Sequence, residues 1–178
     1  MQTSITIRRL SAFAFLCLTA ICVSAQVAPP WQDPLVDHLA GSWKVEGSVM
    51  GHDAHHSLQA EWVLNHQFLR MHEQTSATAP KSEHPYEAVW FLGYDTVSDR
   101  YVLHLMDVFG ARFSETLGYG VREGNQIRFV FEYPDGPFHT TYIWNPENGT
   151  WEWQMEQKRA DGKWSAFADL KLVKAQPQ

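Results

Sequence analysis

Cysteine is scarce in this chain. Among 178 residues there are two, Cys17 and Cys22, and both lie in an N-terminal stretch (residues 1–25) that we expect to be removed as a signal peptide. The remaining chain would then have no thiol, which excludes a disulfide framework and a cysteine nucleophile. Its stability would have to come from a hydrophobic core, for which about 150 residues in one domain are sufficient.

The N-terminal stretch has the three parts of a secretory signal. Arg8 and Arg9 precede an apolar run over residues 10–22, and the small residues 23–25 form a cleavage site. The run is too short to span a bilayer, which needs roughly 20 apolar residues. We therefore expect an exported soluble protein without a membrane anchor, periplasmic or extracellular after cleavage near Ala25.

Positive charge is also in short supply. The chain has 14 basic and 20 acidic residues, a net charge of −6, and loss of the signal peptide would make it more acidic. An acidic chain without basic runs is not expected to bind nucleic acid or anionic membranes. Serine-nucleophile, zinc-protease and phosphate-loop motifs are missing as well, so we expect no cofactor and favour a protein without catalytic activity.

Short alternating segments dominate what is present. A proline-rich lead-in (residues 26–33) ends at Asp33, a good N-cap for a helix over 34–40. From Trp43 onward apolar and polar residues alternate, most clearly in "WEWQME" (residues 151–156). Turn signals separate about ten such segments at 8–12-residue spacing. This pattern predicts an all-β fold: a single antiparallel barrel over residues 34–174, with residues 175–178 as a tail.

Three motifs extend this prediction to a family. They are "LAGSWKVEG" (39–47), "EWVLNHQFLR" (61–70) and "FLGYD" (91–95). In order and spacing they resemble the bacterial domain-of-unknown-function 1579 family, a lipocalin-like (calycin-type) barrel. The resemblance implies that Trp43 packs across a closed barrel end, and it implies no particular activity. The chain departs from the pattern at Leu105, where an aromatic residue would be expected.

A barrel of this kind can enclose one small ligand or be filled by its own side chains. Aromatic walls suit an apolar or amphipathic small molecule, and binding one is the leading hypothesis. An inward Arg70 could anchor a ligand carboxylate, while His104 could equally be a satisfied core residue. The expected lumen-lining residues are Trp43, Trp62, Arg70, His72, Trp90, His104 and Tyr142.

Two alternatives remain open at this point. The first is a haem- or metal-dependent enzyme or isomerase of the nitrobindin type, built around His104 or His139. The second is a structural or interaction module whose exposed aromatic strand faces form a homodimer. Neither has a sequence motif of its own.

The stretch "GHDAHHS" (51–57) raises the question of a metal site. Imidazole and carboxylate groups of His52, Asp53 and His56 would suit zinc or copper. The stretch lies between predicted strands 43–49 and 58–64, in a hairpin connection that offers no rigid frame. His55 and His56 are adjacent and would face opposite sides of an extended chain. We therefore interpret the stretch as a solvated loop and favour no metal.

Overall fold

The computed structural model describes residues 28–80 and 84–176, and the predicted signal peptide lies outside them. Ten strands and two one-turn helices make up the fold. The strands are β1 (Gly41–Val49), β2 (His52–Val63), β3 (Phe68–Thr75), β4 (Glu87–Asp95), β5 (Arg100–Asp107), β6 (Gly118–Glu123), β7 (Gln126–Tyr133), β8 (Gly136–Asn145), β9 (Thr150–Lys158) and β10 (Trp164–Lys174). The helices are α1 (Pro34–Asp37) and α2 (Ala111–Ser114).

The strands form one closed antiparallel barrel. Each strand pairs with the next along the chain, and β1 pairs with β10 to close the ring. The predicted all-β barrel of about ten strands with one short N-terminal helix is confirmed, although α1 ends at Asp37 rather than Ala40. None of the helices in the described ranges is long and apolar enough to cross a membrane.

Alternation along each strand divides an apolar lumen from a polar outer wall. In β9, Trp151, Trp153 and Met155 are buried, whereas Glu152 and Gln154 are exposed. Because successive side chains of a strand point to opposite faces, one apolar residue in two is enough to fill the inside. The core is therefore the barrel lumen itself.

The helix α1 covers one end of the barrel. Leu35, Val36 and Leu39 are buried there, and the indole Nε1 of Trp43 donates a hydrogen bond of 2.6 Å to the carbonyl oxygen of Leu39. We call this the helix end, and the opposite end the open end. The hairpins β1–β2, β3–β4, β5–β6, β7–β8 and β9–β10 all turn at the open end, since every strand runs antiparallel to its neighbours.

Asp33 fixes the helix end to the barrel. Its carboxylate caps α1 by accepting from the backbone of Leu35 at 2.9 Å and Val36 at 3.3 Å. It also accepts from the Tyr101 hydroxyl at 2.5 Å and from Arg122 at 3.2 Å. The predicted N-cap is confirmed, and the structure adds two long-range partners. Burial, together with the hydrogen bond to Asp33, raises the pKa of Tyr101.

The strand boundary predicted near Leu58 is wrong. β2 begins at His52, and the tight turn before it consists of Met50 and Gly51, both with positive φ. The stretch 51–57 is therefore mostly strand rather than solvated loop. Pairing with β1 places His56 opposite Val45, and this pairing turns the imidazole into the lumen.

Candidate functional site

Three of the residues expected to line the lumen do lie inside it. Trp43, Trp90 and Tyr142 are all buried, with at most 4% of their surface exposed. They come from three separate strands, β1, β4 and β8. Their positions follow from the alternation, since each shares its strand face with other buried residues.

Arg70 and His72 lie on the outer wall instead. In "FLRMHEQ" the inward residues are Leu69, Met71 and Glu73, so the intervening Arg70 and His72 point outward. Arg70 forms an ion pair with Glu61 of β2, and His72 Nε2 lies 2.7 Å from Glu87 Oε1 of β4. The expected lumen position is wrong for both residues because Leu69 and Met71, not their polar neighbours, occupy the core face.

His104 lies on the outer wall, whereas Trp62 lies on the inward face of β2, partly buried against the core where that strand reaches the helix end. His104 Nε2 lies 2.8 Å from the carbonyl oxygen of Ser114, while Leu103 and Leu105 of the same strand take the inward positions. Trp62 Nε1 donates a 3.1 Å hydrogen bond to Asp37, and its ring stacks on His66 beside the helix end. β5 is apolar on both faces, which is why the sequence alone did not show which face is buried.

The lumen contains a polar group of its own, which we call the lumen cluster: His56, Glu73, Trp90 and Tyr142. His56 Nδ1 lies 2.7 Å from Glu73 Oε1, and the indole of Trp90 donates to Glu73 Oε2 at 3.3 Å. His56 is 7% and Glu73 2% exposed. A carboxylate removed from water in this way is normally paired and hydrogen-bonded, and both of its oxygens have partners here.

Tyr142 completes the lumen cluster with an unsatisfied hydroxyl. Its side chain is buried, and the hydroxyl oxygen has no hydrogen-bond partner among the described residues. Burial raises the pKa of Tyr142 well above its usual value, and the nearby charge of Glu73 adds to the effect. A buried polar atom without a partner costs about 1–3 kcal/mol. Such an atom marks a place where a bound molecule can supply the missing hydrogen bond.

Tyr86 covers the lumen cluster on the side of the open end. It immediately precedes β4, and its ring stacks on the His56 imidazole with centroids 5.4 Å apart. Burial raises the pKa of Tyr86, and the charge of Glu73 raises it further. Phe109, which is 68% exposed, lies 6.1 Å beyond it. Tyr86 therefore separates a buried carboxylate from the barrel mouth.

Further rings line the mouth opposite Tyr86. Tyr133 lies 5.9 Å from Phe113 and 6.2 Å from Phe138, and Phe138 lies 5.2 Å from Phe167. Tyr133, Phe138 and Phe167 are half-buried against the core. Burial and the charge of Asp107 raise the pKa of Tyr133 to about 12. We call the six rings the aromatic collar: Tyr86, Phe109, Phe113, Tyr133, Phe138 and Phe167.

The middle of the lumen is filled by side chains. Trp153 is fully buried and donates a 2.7 Å hydrogen bond to the hydroxyl of Thr140. Across the barrel, Gly118 and Gly120 face the rings of Phe131 and Phe129. A Cβ added at Gly118 would lie only 2.5 Å from the Phe131 ring. The glycines in β6 thus make room for two phenylalanines, and Tyr142 of the lumen cluster packs into the same layer, 6.4 Å from the Phe129 ring and 5.0 Å from the Trp153 ring.

Two concavities lie outside the lumen. One of about 220 Å³ at the helix end is lined by His38, Arg122 and Trp144 among others. The other, of about 340 Å³, lies on the outer wall, where Phe68, Phe91 and His104 contribute to it. The outer-wall concavity is mostly apolar and is open to solvent. A ligand could bind in this concavity as well as at the barrel mouth, so a binding test has to distinguish the two places.

The candidate metal ligands do not converge. Asp53 is exposed on β2, whereas His56 faces the lumen and His52 lies exposed at the strand start. Within the described ranges no three histidine, cysteine or carboxylate residues are placed to hold a metal ion. His56 instead pairs with a carboxylate from the neighbouring strand.

Glu73 and Tyr86 were not among the predicted site residues. The signal for Glu73 was present, because it stands two and four residues after Met71 and Leu69 and so shares their face. A charged residue at an inward position is uncommon enough to mark a site. Tyr86 lies before its strand, outside any periodic segment, and only the tertiary structure places it over His56.

No protein-family model matches this chain, and no curated protein does so either. The resemblance to the domain-of-unknown-function 1579 family therefore stays a prediction.

Proposed function

We propose that this protein is an exported β-barrel that binds a small apolar or amphipathic molecule at the open end. The observation that carries the proposal is the unsatisfied, buried Tyr142 hydroxyl, which is close enough to Glu73 for that charge to raise the pKa of Tyr142. A folded protein gains nothing in stability from an unsatisfied hydroxyl beside a buried carboxylate. A ligand that reaches Tyr142 would remove that cost.

The aromatic collar supplies the apolar half of the proposed site. Flat rings present a large contact area to an apolar chain or ring, and small-molecule sites are mostly apolar with a few placed polar groups. The collar contacts the lumen cluster through Tyr86, whose ring stacks on the His56 imidazole. An amphipathic molecule would therefore place its polar head on the cluster and its apolar part against the collar.

Entry of a ligand into the lumen requires the Tyr86 side chain to move. The Tyr86 ring lies on His56 and would have to swing toward Phe109 for a head group to reach Tyr142. The Tyr86 backbone is held by Thr75 of β3, whose hydroxyl accepts from the Tyr86 N–H at 2.7 Å and whose N–H donates to the Tyr86 carbonyl at 2.9 Å. The movement would therefore be a rotation of the Tyr86 side chain about a fixed backbone.

Export is the second part of the proposal. It is supported by the basic, apolar and small-residue order of residues 1–25. An exported carrier of this kind would bind its ligand outside the cytoplasm without itself being anchored to a membrane.

The haem-type alternative finds less support. His104 and His139, the histidines around which it was framed, both lie on the outer wall. His139 stacks on Trp164 with centroids 3.7 Å apart and contacts Arg128. Burial lowers the pKa of His139, and the charge of Arg128 lowers it further. Neither imidazole reaches the lumen in which a haem would have to lie.

The first test is native mass spectrometry of the untagged protein purified from the organism that makes it. We expect additional mass of a small molecule that is lost on denaturation. A bare polypeptide mass, combined with no binding of apolar dyes or lipids in solution, would contradict the proposal.

Two alanine variants locate the binding site. Phe138→Ala removes a ring of the aromatic collar, whereas Phe68→Ala removes a ring of similar size from the outer-wall concavity. We expect the first to lower retention of the co-purified molecule about tenfold or more, since a buried phenyl contact is worth about 1.5–3 kcal/mol. The second should leave retention unchanged. The reverse result would move the site to the outer wall.

A further inference from the structure

We propose that the lumen cluster selects ligands with a cationic amine head group and rejects carboxylates. This inference rests on the proposed function, because it names the ligand class for the same site. It differs from the sequence-based expectation, in which Arg70 would have anchored a carboxylate. The structure places Arg70 on the outer wall and a carboxylate, Glu73, in the lumen.

Charge is the first reason. The Glu73 carboxylate is buried, and the ionisable partner that the described residues give it is the His56 imidazole. No arginine or lysine of the described ranges forms an ion pair with Glu73. Electrostatic interactions strengthen as water is excluded, so a ligand ammonium near this carboxylate would be favoured. A ligand carboxylate would meet like charge in the same low-dielectric space.

The aromatic faces are the second reason. Trp90 and Trp153 pack edge to face at 5.4 Å, and Tyr142 stacks on Trp153 at 5.0 Å. Tyr86 adds a fourth ring above the carboxylate. Aromatic faces attract cations, by about 2 kcal/mol or more when the site is desolvated. Several rings around one acidic group form the kind of surroundings in which organic ammonium ions bind.

Tyr142 supplies the specific contact. Its hydroxyl oxygen, unpartnered in the described residues, can accept a hydrogen bond from an ammonium N–H. It can also donate to the oxygen of an alcohol. An alcohol head would therefore satisfy Tyr142 without gaining the attraction of Glu73, and the expected order of affinity is amine, then alcohol, then carboxylate.

The experiment uses three probes with the same eight-carbon tail: octylammonium, 1-octanol and octanoate. Each is titrated at neutral pH against the whole protein, with tryptophan fluorescence and calorimetry as readouts. We expect octylammonium to bind about tenfold more tightly than octanol, and octanoate to bind more weakly than either. Equal affinities, or tighter octanoate binding, would overturn the inference while leaving the proposed function intact. Absence of binding by all three would overturn both.

A pair of isosteric variants assigns the preference to one carboxylate. Glu73→Gln should remove the advantage of octylammonium over octanol and leave octanol affinity within about twofold. Glu87→Gln is the matched control, because Glu87 makes an equally short contact to a histidine on the outer wall. That variant should keep the advantage in full, and loss of the advantage in Glu87→Gln would contradict the assignment.

A further variant covers the case in which Glu73→Gln does not fold. Tyr142→Phe keeps the ring and removes the hydroxyl, so the core volume changes little. We expect it to weaken octanol by about fivefold, the value of one neutral hydrogen bond, and octylammonium by at least as much, because a hydrogen bond from an ammonium is charge-assisted. Unchanged affinity for both probes would show that Tyr142 does not contact the head group, and the inference would fail.

Discussion

Two histidine–glutamate pairs occur on neighbouring strands of this barrel, with the same distance and opposite surroundings. His56 Nδ1 and Glu73 Oε1 are 2.7 Å apart in the lumen, with side chains 8% and 3% exposed. His72 Nε2 and Glu87 Oε1 are also 2.7 Å apart, but on the outer wall, with side chains 35% and 59% exposed. The chemistry of the two pairs is the same. Burial is what separates a candidate binding site from an ordinary surface contact.

Burial changes what a histidine–glutamate pair contributes to the stability of this barrel. An exposed pair exchanges its partners for water at little cost, so its contribution to stability is small. A buried pair has no such exchange, and removing one partner leaves the other unpaired in a low-dielectric interior. The inner pair also has a neighbour that the outer pair lacks, namely the Trp90 indole, which donates to Glu73.

The largest effect expected is on stability. Glu73→Ala leaves His56 and Trp90 without their acceptor and opens a cavity, so we expect the free energy of unfolding to fall by about 3–5 kcal/mol. Urea denaturation followed by tryptophan fluorescence measures this. A loss below about 1 kcal/mol would show that the lumen cluster is already hydrated, and the contrast between the two pairs would disappear.

Alkaline pH should produce an effect of intermediate size. Burial raises the pKa of Tyr86, Tyr133 and Tyr142, whereas an unfolded tyrosine ionises near pH 10. Above about pH 10 the unfolded state therefore binds fewer protons than the folded state, and the free energy of unfolding falls as pH rises. Since Tyr133 keeps its proton up to a pKa of about 12, the decline should extend at least that far.

Absorbance at the tyrosinate band gives the measurement. We expect most of the tyrosine signal to appear together with the loss of near-ultraviolet circular dichroism. Ionisation of all tyrosines near pH 10 with the fold intact would contradict the burial of these rings. The charge of Glu73, and not that of Glu87, raises the pKa of Tyr86 and Tyr142. Glu87→Gln should therefore leave the midpoint of the alkaline transition unchanged.

The smallest effect is expected at the outer pair. Glu87→Ala breaks the contact to His72 on an exposed face, and we expect a change of about 0.2–1 kcal/mol in the free energy of unfolding. This value should shrink further in high salt, because exposed charges are screened. A loss comparable to that of Glu73→Ala would mean that burial does not decide how much such a pair contributes to the free energy of unfolding.

The architecture was largely predictable from local pattern. Alternation in β7 and β9, the turn residues between strands and the Asp33 cap are all short-range signals, and each was confirmed. The lumen residues were predictable only where one strand face is clearly apolar. In β5, where Val102, His104 and Met106 alternate with Tyr101, Leu103 and Leu105, both faces fit a core, and the prediction chose the outer one.

The sequence by itself determined that this chain is a barrel of short strands, because apolar and polar residues alternate within each segment. This alternation can be recognised without knowing which strands pair. Only the tertiary structure decided that His56 and Glu73, far apart in the chain, pair under Tyr86, with Tyr142 close enough for the Glu73 charge to raise its pKa. Their meeting depends on which residues of β2, β3 and β8 share a level across the closed barrel. That level is set by strand register, which arises from pairing between strands and not from the pattern within any one of them.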